Sequence, residues 1–371
     1  MMTFKTRTLA ALKVARIRNP VKTALVGLDG FVDTIVTPVG QRTAQGDAFT
    51  PIATIPEFAR RIAGAAGKST NIEFYPLFDK LGGNGPIMAN ALSAAGISLT
   101  CIGAFGRPEP HPVFHNLASR VELVSLCEPA TTIAVEFNDG KIMLGQLRSL
   151  DIITLQTIDE VMGVEQFRSS LAESDLVALV NWTMIPNMTG ILRDLVDKVL
   201  PVLPVHTGRI FFFDLADPEK RSREDLLDVL DIIRRFVAFG RVVLGLNLKE
   251  AQRVHSELGF AVRGESEAEL RAMTADIRGS LELTAVVVHP CDSAACATVE
   301  GSWWVPGPHT AEPLITTGAG DHFNAGYAQG LLLGLDPEAC LCLGVCTSGH
   351  FVRTAKSPTL DDLERFLAEW E

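Results

Sequence analysis

The chain has 371 residues, 47% of them hydrophobic, and a formal net charge of −11. That length buries a large core, while the acidic balance, with no basic stretch interleaved with aromatics, excludes a nucleic-acid-binding surface and favours small polar substrates. No run of eighteen apolar residues occurs, which excludes an apolar helix crossing a membrane.

Seven scattered cysteines read as the reduced thiols of a cytoplasmic protein. Cys342 and Cys346 stand four apart on a helical face, and His111 and His115 share that spacing around Pro112. No paired CxxC accompanies them, so both pairs read as structural.

Residues 1–28 carry Lys5, Arg7, Lys13, Arg16, Arg18 and Lys22 and no acid, a composition shared with transit peptides. No small-residue cleavage pattern follows. An amphipathic helix with Phe4, Leu9, Leu12 and Ile17 on its apolar face is expected instead, leading through Asn19-Pro20 to the first strand. From Thr23 onward, short β-rich runs alternate with longer helical patterns, the rhythm of a parallel sheet covered on both faces. Strands are predicted at residues 24–28, 98–103, 176–180, 209–213, 242–246 and 285–289. Helices are predicted at 87–95, 188–200, 224–236, 249–258 and 267–278, with Gly96, Gly259 and Gly279 at their stops. Two more helices are expected near 337–353 and 360–370. Residues 34–80 and 129–150 break the rhythm, and Asn138-Asp139-Gly140 marks a hairpin between 131–137 and 141–144. Those strands are expected to form a small sheet apart from the main one.

Five motifs invite a chemical reading, and four of them keep it. Gly27-Leu28-Asp29-Gly30-Phe31-Val32-Asp33 follows the first strand, at the carboxyl edge where open α/β sheets bind ligands. Gly64-Ala65-Ala66-Gly67-Lys68-Ser69-Thr70 imitates a P-loop but lacks the first glycine and a preceding strand, and is set aside. Gly82-Gly83-Asn84-Gly85-Pro86 enters a helix, with glycines that admit a substrate close to the backbone and an amide for hydroxyls. Asn247 and Glu250 share the first turn of the helix after strand 242–246, where Glu250 is also an ordinary first-turn acid. The fifth motif, Thr316 through Gly326, places Gly318, Ala319, Gly320 and Asp321 where an apolar helical pattern (Phe323, Ala325, Tyr327, Leu331) begins. The first amides of a helix have no internal partner and attract anions, and Asp321 beside them is suited to accept the proton of an attacking hydroxyl.

The run from Thr317 to Gly326 resembles the signature of the ribokinase-like (PfkB) carbohydrate kinases, and the resemblance extends loosely over residues 22–353. It implies a three-layer α/β/α fold with a mostly parallel sheet, in one domain spanning 1–371. Insertions near 34–80 and 129–150 would form a lid over the sugar, which in the family often makes homodimer contacts. It further implies transfer of the ATP γ-phosphoryl to a sugar hydroxyl, with Asp321 as base and the Gly318, Ala319 and Gly320 amides as anion hole. Asp33 is similar to the substrate-binding aspartate, with Asp29 as the backup; its spacing from Gly27 is closer to that of ADP-dependent sugar kinases, which leaves ATP or ADP open as donor. Gly82, Gly83 and Asn84 resemble the N-terminal sugar-contacting signature. One departure is Ile87, where the family usually has asparagine, so that a sugar contact is missing or moved to Asn84 or Asn90. Asn247 and Glu250 resemble the NxxE motif that in the family organises Mg²⁺ and its waters around the nucleotide phosphates, a hard cation held by few protein oxygens. Thr317 falls on the nucleotide side, and His289-Pro290-Cys291 aligns with the nucleotide-contacting turn, without its glycine. His322, where the family commonly has a small or hydroxyl residue, either tunes Asp321 or faces solvent, and the second is expected. A nucleoside kinase and a non-catalytic nucleotide- or sugar-binding regulator are the alternatives.

Overall fold

The computed structural model describes residues 3–18 and 21–370; the expected Asn19-Pro20 link lies outside them. In chain order the strands are β1 (Thr23–Gly27), β2 (Phe31–Arg42), β3 (Phe49–Pro51), β4 (Phe74–Gly82), β5 (Ser98–Ala104), β6 (Glu122–Cys127), β7 (Ala130–Phe137), β8 (Gly140–Gln146), β9 (Leu176–Leu179), β10 (Ile210–Asp214), β11 (Arg241–Leu246), β12 (Ala285–Val288), β13 (Ser293–Thr298) and β14 (Gly301–Pro306). Nine of them form one sheet in the order β14-β13-β12-β11-β10-β9-β1-β5-β6. Its strands are parallel from β12 to β6, and β13 and β14 add an antiparallel hairpin at one edge.

The strand sequences explain the layering. β9 (LVAL), β10 (IFFFD) and β12 (AVVV) are buried at every position, as strands covered on both faces must be. Alternate residues face opposite ways. Phe211 and Phe213 pack with Val229, Leu230 and Ile233 of helix Arg223–Arg235, while Phe212 packs on the other side with Leu92, Tyr327 and Leu341. Each such phenylalanine contributes roughly 1.5–3 kcal/mol through burial. The result is an α/β fold with one large, mostly parallel sheet between two helical layers.

The remaining strands build a second, smaller sheet. β2 is antiparallel to β4 and parallel to β7, and β7 turns back into β8 through Asn138 and Asp139. The expected hairpin and its separation from the main sheet are therefore present. Inside the first insertion, helix Ile55–Ala63 was not anticipated, and the P-loop-like segment is the turn that follows it.

The six expected strands shift by no more than about a residue at their ends. Several other features differ. Helix Glu267–Leu281 runs through Gly279 and stops at Glu282, which is left-handed at φ 53°; Gly279 keeps ordinary helical geometry because nothing there requires otherwise. The expected helix at 188–200 becomes a π-turn over Leu195–Val199. Strand β6, the β13–β14 hairpin and helices Leu155–Met162 and Val164–Glu173 had no periodic signal strong enough to predict them. Cys342 and Cys346 are buried with Leu343, Leu363 and Leu367.

Helix Phe4–Arg18 docks on the carboxyl-terminal helix Leu360–Glu369, with Leu12 fully buried and Arg16 paired to Asp361 and Glu364. Ile17, expected on the apolar face, is 87% exposed; Thr8, Leu12 and Ala15 form the buried face. No helix among the described residues is long and apolar enough to cross a membrane. Leu12→Ala is expected to lower the free energy of unfolding by about 2–5 kcal/mol, while Ile17→Ala changes it by no more than about 0.5 kcal/mol. Urea titration of the two variants checks this, the midpoint moving and the slope staying constant.

Candidate active site

Parallel strands end in polar residues on one edge of the large sheet. Asp29 follows β1, Asn181 follows β9, Asp214 ends β10, Asn247 follows β11 and His289 follows β12. Ligands bind beyond the carboxyl ends of such strands because the loops there leave backbone groups unpaired. A cavity of about 660 Å³ lies on this side, lined by Asp33, Lys80 and Glu136 of the second sheet and by Thr316 and Thr317. A smaller one, about 380 Å³, opens at the amino ends of β1 and β5, away from these residues.

Asp29 is fully buried and has three donors. Its Oδ2 accepts from the Asn84 amide at 2.8 Å and from Asn181 Nδ2 at 2.6 Å, and its Oδ1 accepts from the Gly85 amide at 2.7 Å. It caps helix Asn84–Ala94, where a carboxylate is favoured by the unpaired amides and the dipole. Burial raises its pKa to about 6, against the opposing pull of Asn181, Gly85 and Asn84. Asp29 therefore stands as the anchor of the Gly83-Asn84-Gly85 turn rather than as a free group in the cleft.

Asp33 lies in β2, opposite Lys80 of β4. Gly82 makes room for it: a Cβ there would come within 2.6 Å of Asp33 Oδ2. Burial raises the Asp33 pKa, while the charges of Lys80 and Lys141 and a hydrogen bond from Thr132 pull it down. Lys80 itself was not anticipated. Half-buried, it donates to the Thr317 carbonyl at 3.2 Å and links the second sheet to the turn before Gly318.

Helix Ala319–Leu332 starts at Gly318, whose φ of 92° is left-handed and favours glycine. The amides of Gly318, Gly320 and Asp321 donate to no acceptor among the described residues. That of Ala319, expected in the same set, donates to the Thr316 carbonyl at 3.1 Å and is removed from it. Asp321 is partly accessible in the first helical turn. Desolvation raises its pKa well above the ordinary value, the charge of Asp29 adds to this, and a hydrogen bond from the Asn84 side chain opposes it.

Asn247 and Glu250 form a capping box: Asn247 Oδ1 accepts from the Glu250 amide at 3.0 Å and Glu250 Oε2 from the Asn247 amide at 2.9 Å. Glu250 Oε1 also accepts from the Asp217 amide at 3.0 Å. Beside it stands Asp214, which lacked any sequence signal. Its pKa is raised by burial and then by the charges of Glu250 and Asp321. Asn324 donates to Asp214 Oδ2 at 2.8 Å, while Asp214 Oδ1 is buried with no partner among the described residues. His289 packs its ring on Phe323 at 4.6 Å and keeps a buried Nε2 without a partner among the described residues. Burial pushes its pKa down to about 4, so it is neutral. Cys291 is exposed.

His322 corrects the expectation of a solvent-facing side chain. It is buried, stacks on Phe351 and lies between the Gly318 carbonyl and Ser357. Asn90, a candidate for the displaced sugar contact, donates instead to Ser357 Oγ at 2.7 Å. Ile87 packs against Gly318.

A family model described as prokaryotic ketohexokinase matches residues 7–370. A ketohexokinase of Haloferax volcanii is 28% identical over 346 residues, 92% of this chain and 90% of the relative. Among solved structures, a carbohydrate kinase from Agrobacterium tumefaciens superposes with a TM-score of 0.64 at 18% identity, covering 94% of this chain and 97% of that one. A Methanocaldococcus jannaschii nucleoside kinase of the ribokinase family gives 0.61 at 14% identity, covering 94% and 99%. The chain belongs to the prokaryotic ketohexokinase family and is an ATP-dependent carbohydrate kinase of the ribokinase-like fold.

Proposed function

We propose that the protein phosphorylates a hydroxyl of a ketohexose, with Asp321 as general base. The observation that carries this reading is one helical turn in which amides without acceptors adjoin a carboxylate of raised proton affinity. Asp33, seated over Gly82 and flanked by Lys80 and Thr132, is suited to grip sugar hydroxyls and orient the reacting one. Asp321 then takes the proton, and the amides of Gly318, Gly320 and Asp321 hold the oxygens of the transferring group. Thr317, Asn247, His289 and Cys291 lie on the nucleotide side, and we read the second sheet as the lid that excludes water from the sugar.

The carboxylates also fit a magnesium ion. Asp214 Oδ1 is a buried acceptor without a partner among the described residues, beside Glu250 and within the charge field of Asp321. No group of His, Cys, Asp or Glu among the described residues forms a ready-made metal cage, in keeping with an ion that retains waters and uses one or two carboxylates plus phosphate. Asp214 and Glu250, with Asn247 behind Glu250, would hold it, and when bound it neutralises charge on the phosphates. We assign Asp29 to positioning, since its donors already orient Asn84 toward Asp321.

ADP release measured across ketohexoses, aldohexoses and nucleosides tests the substrate. The reading expects the highest kcat/KM with a ketohexose; a nucleoside preferred to every sugar overturns it, and silence with nucleotide binding intact makes the protein a regulator. Asp321→Asn is expected to lower kcat by about 10²- to 10⁴-fold. Its folded-state pKa lies above the unfolded one, so Asp321 contributes stability only at low pH and loses it as pH rises through that pKa. At neutral pH the amide variant is therefore expected to melt no lower than the parent.

The same shift sets a pH dependence. Asp321 accepts a proton only when ionised, so kcat/KM rises with pH through its pKa, above the range of an exposed carboxylate. Lys80 favours the ionised form, and Lys80→Met is expected to move this acid limb to higher pH. A limb that stays in place or moves to lower pH removes Lys80 from the field of the base.

A further inference from the structure

We propose that His322 is a positioning residue for the phosphate-binding turn: its imidazole, oriented by Ser357, fixes the Gly318–Ala319 peptide plane and so the direction of the free amides that follow. The proposal rests on the kinase reading above. It starts from a chain of hydrogen bonds with only one consistent direction. His322 Nδ1 lies 2.7 Å from the Gly318 carbonyl oxygen. A carbonyl only accepts, so Nδ1 carries the proton and Nε2 of the neutral ring is an acceptor. Ser357 Oγ, 2.8 Å from Nε2, donates its single proton there. Its lone pair in turn receives Asn90 Nδ2 at 2.7 Å, and Asn90 Oδ1 receives Arg120. The pattern sets the tautomer of His322 from outside the turn.

The bond to Gly318 is not needed to satisfy the helix. The Gly318 carbonyl already accepts the His322 backbone amide at 3.1 Å. The imidazole adds a second donor to the same oxygen, while the other end of that peptide, the Ala319 amide, is held by the Thr316 carbonyl. Both poles of one peptide group are thus tied, at a left-handed glycine that would otherwise turn freely. Phe351 stacks on the ring with centroids 3.6 Å apart and planes 12° apart, which blocks its rotation. Burial of the imidazole pushes its pKa down to about 4, so it stays neutral and keeps this arrangement at any pH near neutrality. A connected network of this kind, with the imidazole at its buried end, favours one geometry. Electrostatic catalysis depends on donors that are oriented before the charge develops.

The test compares His322→Phe, His322→Asn, Ser357→Ala and the double variant His322→Phe with Ser357→Ala. Steady-state kinetics, the affinity for the magnesium complex of a non-hydrolysable ATP analogue by calorimetry, and melting temperature are measured for each. His322→Phe keeps the stack and removes the donor; it is expected to lower kcat by about tenfold or more, with the sugar KM unchanged and analogue affinity reduced. His322→Asn places an amide donor near the Nδ1 position and is expected to recover most of the loss in both readouts. Ser357→Ala falls between, and the double variant is no worse than His322→Phe alone, since the two act through one bond. Wild-type kcat and affinity in His322→Phe overturn the proposal, as do an asparagine variant as weak as the phenylalanine one or additive losses in the double variant. If His322→Phe fails to fold, the affinities of His322→Asn and Ser357→Ala decide, the first near wild type and the second below it. If the parent transfers phosphate to no acceptor, the kinase reading fails, and the analogue affinities still judge His322.

Discussion

Three donors converging on the buried carboxylate of Asp29 hold the site together. Asp29 leaves β1, receives Asn181 from the end of β9, and seats the first two amides of helix Asn84–Ala94. A buried charge is tolerable only when its lone pairs are met, and removing one partner of such a set leaves the others unpaired in a low-dielectric interior. The junction therefore locks two strands and a helix in one register. Asn84 is delivered by that lock to Asp321, and the charge of Asp29 is the largest electrostatic influence on Asp321 after burial itself. A structural anchor and the proposed base are thereby electrostatically linked.

Around this anchor, negative charge accumulates. Asp29, Asp214, Glu250 and Asp321 all come to one edge of the sheet, and each is held toward its protonated form, chiefly by burial. Cations are sparse there: Lys80 is half-buried and its own charge is disfavoured by desolvation. Such an edge is poised for the arrival of positive charge with an anionic ligand, and free amides at the mouth of helix Ala319–Leu332 supply attraction for oxygen without adding another ionised side chain. The second sheet contributes the opposite wall, where Asp33 and Lys80 face each other across β2 and β4.

Local chemistry made much of this visible in the chain. Uninterrupted apolar runs such as IFFF and AVVV mark strands buried on both faces, because only a covered parallel sheet hides every side chain of a run. The Asn-Asp-Gly turn, the left-handed glycines Gly96 and Gly259 after their helices and the glycine-led helix mouth at Gly318 act through neighbours a few positions away, so they are readable without a fold. Strand β13, SAACAT, is legible only as a partner of β12, since nothing in its composition favours extended structure. The same holds for the end of helix Glu267–Leu281, which passes through Gly279 and stops at Glu282 without a glycine to announce it.

The amino-acid sequence by itself determined the rhythm of the large sheet, the separate hairpin and the places of Glu250 and Asp321 in the first turns of their helices, because periodicity and helix-end chemistry are short-range. Tertiary structure alone decided that Asp29 anchors a helix, that Asp214 joins Glu250, that Lys80 reaches the turn at Gly318 and that Ser357 bonds His322 beside that turn. Each of these depends on groups brought together from distant parts of the chain: 55 residues separate Asp29 from Asn84, 110 separate Asp214 from Asn324, and 237 separate Lys80 from Thr317. A hydrogen bond is directional and short, so its partner across such a separation is set by how the layers pack and by nothing in the neighbouring sequence.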